Sequence, residues 1–262
     1  MKIELRIKNK ENKVLVQKTG TDELDLYYEG TYEEGDSIYL SVDETDGYFE
    51  LQLDEAMGSK VVYLVEQEIK YEIPFGEKKL AYSPKAFSGK SHYLKVRKLM
   101  KQEVGAYRNL ALNPYDQDKE CGLYPHAQAN VHTRNEAVFA PRCVIDGVTA
   151  NLSHGPWPYQ SWGINQRDDA FISVEFGRKI VTDRVRLFTR CDFPHDNWWE
   201  KVTLRFSDGS FMECSLDKSE MAQEICFEQK EVEWVRLENL IKADDPSPFP
   251  ALSQFEVFGY DK

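Results

Sequence analysis

The chain reads as an all-β protein made of two β-sandwich domains, and three observations predict this. Apolar residues recur at period two and are often β-branched or aromatic, which is the mark of half-buried strands. Gly, Asp and Pro clusters separate these segments at short intervals and supply turns. Helical periodicity is confined to one stretch. With 262 residues, 41% of them hydrophobic, the chain has apolar material for one large or two medium cores.

In the first half, residues 2–8, 13–17, 36–42, 48–53, 61–66 and 92–97 have strand character. Residues 99–112 are the best helix or ordered-linker candidate, because Leu99, Val104, Tyr107 and Leu110 can share a face, although Gly105 weakens it. The predicted division is therefore an N-terminal sandwich over 1–98, a helical or extended connector over 99–125, and a second sandwich over 126–262. In that second part, 171–176, 184–189, 201–206, 211–216, 224–227, 233–237 and 252–258 read as strands. Without intervening helices they favour an antiparallel sandwich over a parallel α/β sheet.

Charge excludes several partner classes. The 33 bases and 45 acids give a net charge of −12, which lacks the basic footprint a nucleic acid requires. No stretch approaches the ~20 apolar residues of a membrane span, and the first residues alternate charged with apolar, so a membrane partner is not expected and the cytoplasm is the expected location. Five cysteines, with no CxxC spacing, read as reduced thiols. Residues 21–55 carry 13 acids and no Lys or Arg, while 85–101 carry six bases and no acid. The acidic run suits a solvated sheet edge that resists aggregation.

All five tryptophans fall in the second half, where an ordered set of landmarks appears: Val144-Ile145-Asp146-Gly147, Ser161-Trp162, Ile172-Ser173-Val174-Glu175-Phe176-Gly177, Val185-Arg186-Leu187, Phe206-Ser207-Asp208-Gly209-Ser210, Val235-Arg236-Leu237 and Phe255-Glu256-Val257-Phe258-Gly259. This order resembles the discoidin, or coagulation factor type C, family of galactose-binding-like jelly rolls over about residues 126–260. The resemblance implies an eight-stranded β-sandwich whose loops at one end carry the ligand. Taken alone, Asp146-Gly147 suits a turn in which Asp bonds its own backbone and Gly takes positive φ. Trp162 and Trp234, embedded in strands, are expected to pack in the core.

Two loops concentrate chemistry. Residues 151–160 place His154, Trp157 and Tyr159 on a backbone stiffened by two prolines. Residues 190–199 gather Arg190, Asp192, His195, Asp196 and Trp198 with an amide and a second indole. Aromatic faces for C–H bonds, and planar charged groups that grip vicinal hydroxyls, are what a sugar needs. Residues 242–250, with Asp244 and Phe249, form a third candidate. The resemblance implies sugar contacts at positions that look equivalent to His154 with Trp157, Arg190 and Phe249, with Asp196 or Asn197 where relatives often keep an Asn. The functional expectation is a non-catalytic carbohydrate-binding protein. The same loops also suit an interaction or homo-oligomerisation module, or a plug in which Arg190 pairs with an aspartate.

Relatives often carry a structural calcium, which the resemblance places at Asp146 with Asn151 as a possible partner. Val148, Gln160 and Gln254 stand at positions where relatives offer better ligands, and calcium prefers hard, anionic oxygen. No other cofactor is expected. A transition metal on His126, His132 and His195, or a sugar-acting enzyme using paired aspartates, is the remaining alternative. No GxSxG, GxxxxGK[ST] or GxGxxG motif occurs.

Overall fold

The structure, a computed structural model, describes residues 1–151, 155–191 and 196–262. Alternating burial builds the first sheet. In β1 (Lys2–Lys8) Ile3, Leu5 and Ile7 point inward while charged neighbours point out. The same period-two pattern runs through β3 (Glu23–Glu29), β4 (Ser37–Val42), β5 (Gly47–Gln52), β7 (Glu68–Glu72) and β8 (Ser91–Lys98), whereas β2 (Val14–Thr21) is largely exposed and β6 (Lys60–Leu64) is buried along its second half. β3 and β7 escape the sequence reading because three charged residues in each break up a short apolar pattern.

The connector is shared. Only Lys101–Val104 is helical, since Gly105 ends the turn. The rest is extended: β9 (Arg108–Asn109) pairs with a strand of the second sheet, whereas β10 (Leu123–Tyr124) pairs with β6 of the first. The first sheet then runs β10-β6-β5-β8-β3-β2-β1-β4-β7.

The second sheet comprises β11 (His126–Ala129), β12 (Trp162–Gly163), β13 (Ile172–Thr189), β14 (Asp196–Asn197), β15 (Trp199–Phe206), β16 (Phe211–Ser215), β17 (Gln223–Lys242) and β18 (Phe249–Asp261). Its central path is β12-β18-β13-β17-β15-β16. Sequence suggests separate strands at 171–176 and 184–189, and again at 224–227 and 233–237. Each pair is instead one long antiparallel strand, because register shifts at Glu175/Ile180 and Thr182/Arg184 let the ladder bend without ending. Gly177 permits one such bend: its φ is +67, and a Cβ there would meet the Tyr124 ring at 2.5 Å.

Two apolar cores result, and the second half contributes to both. Trp162, Trp199, Phe176, Phe206 and Phe255 fill the second core, whereas Val138, Cys143 and Tyr159 pack into the first. None of the five cysteines is in a disulfide.

Candidate functional site

A cleft of about 460 Å3 opens where the end of β13, the start of β18, β12 and the 133–139 turn meet. Arg190 follows β13, and its backbone amide donates to the Ala251 carbonyl at 2.9 Å, which fixes it beside β18. Its guanidinium is only 1% exposed. Nη1 donates to the Tyr159 carbonyl, and Nε lies 3.4 Å from Oδ2 of the buried Asp196. A charge held this deep requires such partners.

Asp196 reaches Arg190 because β14 pairs in parallel with β18, setting Asp196 against Phe249. Asn197 fastens the loop between β17 and β18: its Nδ2 donates to the carbonyls of Ala243 and Ser247, at 3.2 and 2.7 Å. Phe249 is thereby presented at the mouth of the cleft, 50% exposed. Phe139 lines the same cleft, with the Arg134 guanidinium 5.4 Å from its ring centroid. Arg134 also makes a bidentate pair with Glu136, at 2.6 and 2.8 Å.

The rim is conformationally costly. Arg134, Asn165 and Gln166 line the cleft and have φ of 51, 52 and 58. Non-glycine residues in the left-handed region cost on the order of 1 kcal/mol each and cluster at functional sites. The two turns are tied together by the Asn165 amide, which donates to Thr133 Oγ1 at 3.2 Å. Gly163 allows that approach, since a Cβ there would sit 2.5 Å from the same oxygen.

Of the residues singled out from sequence, the cleft gathers Arg190, Asp196 and Phe249. Trp157 lies elsewhere, in a cleft of about 270 Å3 between the sheets, with Ala56, Met57 and Tyr82. Tyr159 packs edge-on to Phe139 at 6.5 Å, and it is its carbonyl that meets Arg190. Trp198 is half-buried with the Lys218 ammonium 4.9 Å from its ring centroid, and Asp244 is exposed. Trp162 is fully buried, its Nε1 donating to the Val131 carbonyl at 2.8 Å, while Trp234 is half-buried against Arg236. His154, Asp192 and His195 lie outside the described residues. Arg134, Phe139, Asn165 and Gln166 were not singled out. Adjacent Asn165 and Gln166 in a polar run signal a turn, but nothing in the sequence marks Arg134 for positive φ.

Asp146 is enclosed by N–H donors. Val148 N and Gln254 Nε2 each donate to Oδ1 at 2.8 Å, and Gln160 Nε2 donates to Oδ2 at 3.0 Å. The amide orientations are dictated by their neighbours, because Gln254 Oε1 accepts from Gly147 N and Gln160 Oε1 accepts from Tyr159 N. Both side-chain nitrogens therefore face the carboxylate. Calcium needs oxygens at that spot, so this donor set does not fit it. Burial pushes the Asp146 carboxyl up to about 6, against the pull of Arg142. Asn151 is half-buried. His126 is committed to Asp116, with Nδ1 2.7 Å from Oδ1.

No family model matches the chain, and no curated protein matches it. Solved structures similar to it include chitosan-binding module 1 of a chitosanase/glucanase from Paenibacillus sp. IK-5, at 20% identity and a TM-score of 0.42, covering 58% of this chain and 99% of that one. Module 2 of the same enzyme, solved with chitotriose, is 17% identical with a TM-score of 0.40, covering 58% and 100%. The family 32 carbohydrate-binding module of Clostridium perfringens NanJ, solved with galactose, is 14% identical with a TM-score of 0.37, covering 50% and 91%. The neighbours are carbohydrate-binding modules, and likeness of this degree carries no function across.

Proposed function

We propose that the cleft bounded by Arg190, Asp196, Phe139 and Phe249 binds a carbohydrate, as a recognition site without catalysis. The observation that carries this reading is the gathering of three left-handed non-glycine residues, Arg134, Asn165 and Gln166, around one cleft. Backbone strain persists where the surrounding structure over-determines it, and here three strained residues line a space whose walls include two phenyl rings. Phe249 is the stacking face, since half of it is exposed and its backbone is held by β14. The buried Arg190–Asp196 pair lines the cleft as a planar donor beside an acceptor and holds its wall in place.

The test is calorimetry of the full chain against a sugar panel that includes galactose and chitotriose, alongside Phe249→Ala. We expect saturable binding in the micromolar to millimolar range, weakened about tenfold or more by the substitution, which removes one stacking face (~1.4 kcal/mol per tenfold). Absence of binding at millimolar sugar, or binding indifferent to Phe249→Ala, overturns the reading.

A further inference from the structure

The first sheet carries a second cluster of chemistry-bearing side chains. Past the end of β5 the chain turns at Asp54, whose Oδ1 accepts from Ala56 N at 2.9 Å and Oδ2 from Phe87 N at 2.7 Å. β8 lies beside β5, so His92 comes up against this turn, and the amide of Tyr93 donates to Glu55 Oε1 at 2.9 Å. His92 Nε2 is 3.1 Å from the Gly30 carbonyl. A carbonyl only accepts, so Nε2 carries the proton and Nδ1 keeps a lone pair. One ligand atom from each of Asp54, Glu55 and His92 lies within 4.8 Å of the others.

Each side chain is thus already aimed by a backbone partner, which is how the supporting shell of a metal site works. Asp54 and His92 are buried while Glu55 is exposed, leaving one open side. A further observation points to a cation at this cluster. Beside it, Tyr32 is 4% exposed, its ring centroid is 4.2 Å from that of His92, and its buried hydroxyl has no hydrogen-bond partner among the described residues. Of the charges around that hydroxyl, Asp54 acts on it most strongly.

We propose that Asp54, Glu55 and His92 hold a divalent transition-metal ion, with a bound water completing the site and accepting from the Tyr32 hydroxyl. Two carboxylates neutralise a dication. An imidazole nitrogen favours zinc-like ions over calcium or magnesium, which take oxygen ligands. Three protein ligands with a water in the fourth position is an open zinc geometry. This site is independent of the carbohydrate cleft, which lies on the second sheet.

The probe is Co2+, titrated into the full chain after chelator treatment and followed by its visible d–d absorption, then displaced with Zn2+. We expect one saturable equivalent, displaced by Zn2+. Glu55→Gln, an exposed position, weakens binding by about tenfold or more, and Tyr32→Phe moves the band without abolishing it. His92→Ala removes the band; should that variant fail to fold, the Glu55 and Tyr32 variants carry the test. No saturable band at millimolar Co2+, or a band that neither variant alters, overturns the proposal.

Discussion

The seam between the two sheets and the cleft on the second sheet are built from similar residues to opposite ends. In the seam, Asp116 Oδ1 meets His126 and Oδ2 accepts from Ala127 N at 2.9 Å. Arg142 donates through Nε to the Asp116 carbonyl at 2.8 Å and through Nη2 to that of Pro114 at 2.9 Å, while its guanidinium carbon sits 4.1 Å from the Tyr82 ring centroid. In the cleft Arg190 is likewise bonded within the chain, but Phe249 stands half exposed and the rim is carried by the left-handed residues Arg134, Asn165 and Gln166. A buried cluster partnered within the chain holds it together; a half-exposed ring beside a strained rim is a surface on which something else can sit.

The sharpest way to break this contrast is His126→Ala, which strands a buried carboxylate and should lower stability by about 3–5 kcal/mol in chemical denaturation. Burial works against the charged imidazole, but the bond to Asp116 and that residue's charge outweigh it and hold the His126 pKa above its ordinary value. The stability from this contact is therefore full below pH ~6.5 and lost as pH rises through the raised value. Melting temperature against pH should fall on the alkaline side for the natural chain and flatten in His126→Gln. Trp157→Ala, also in the seam, should cost about 2–3 kcal/mol because the indole is only partly buried, with sugar affinity unchanged. A parallel loss of affinity would move Trp157 into the binding site.

At the cleft the sign reverses. Gln166→Gly relieves a left-handed residue and should raise stability by up to about 1 kcal/mol while weakening sugar binding. Equal affinity would detach strain from recognition. Smallest of all is calcium: millimolar Ca2+ or chelator should shift the melting temperature by less than about 1 °C, because amide nitrogens already surround Asp146. Gln254→Glu should introduce a calcium response. A calcium-dependent rise in the natural chain would show that the two glutamines yield to the ion.

Much of the architecture was legible from alternation alone. Residues 2–8 are a strand as read, and the other segments named in the first half fall within a residue or a few of their observed limits. What escaped was long-range. No local pattern says that 172–189 passes through two register shifts without ending, or that Tyr159 turns into the first core. The cleft was legible where charge and aromaticity stand out, at Arg190, Asp196 and Phe249. It was illegible at Arg134 and Gln166, whose contribution is a backbone angle that side-chain identity does not announce.

The extended connector has a last consequence. Asn109 Oδ1 accepts from Val257 N at 3.1 Å and Leu110 enters the second core, whereas Leu123 enters the first. The interval therefore works as a crossed strap, each end buckled into the opposite unit. A fragment starting at 126 forfeits an edge pairing and two core residues, Leu110 and Ala111, so excision or grafting of the second unit succeeds only if the cut falls upstream of 108, and even then the first unit is left without its Leu123 edge.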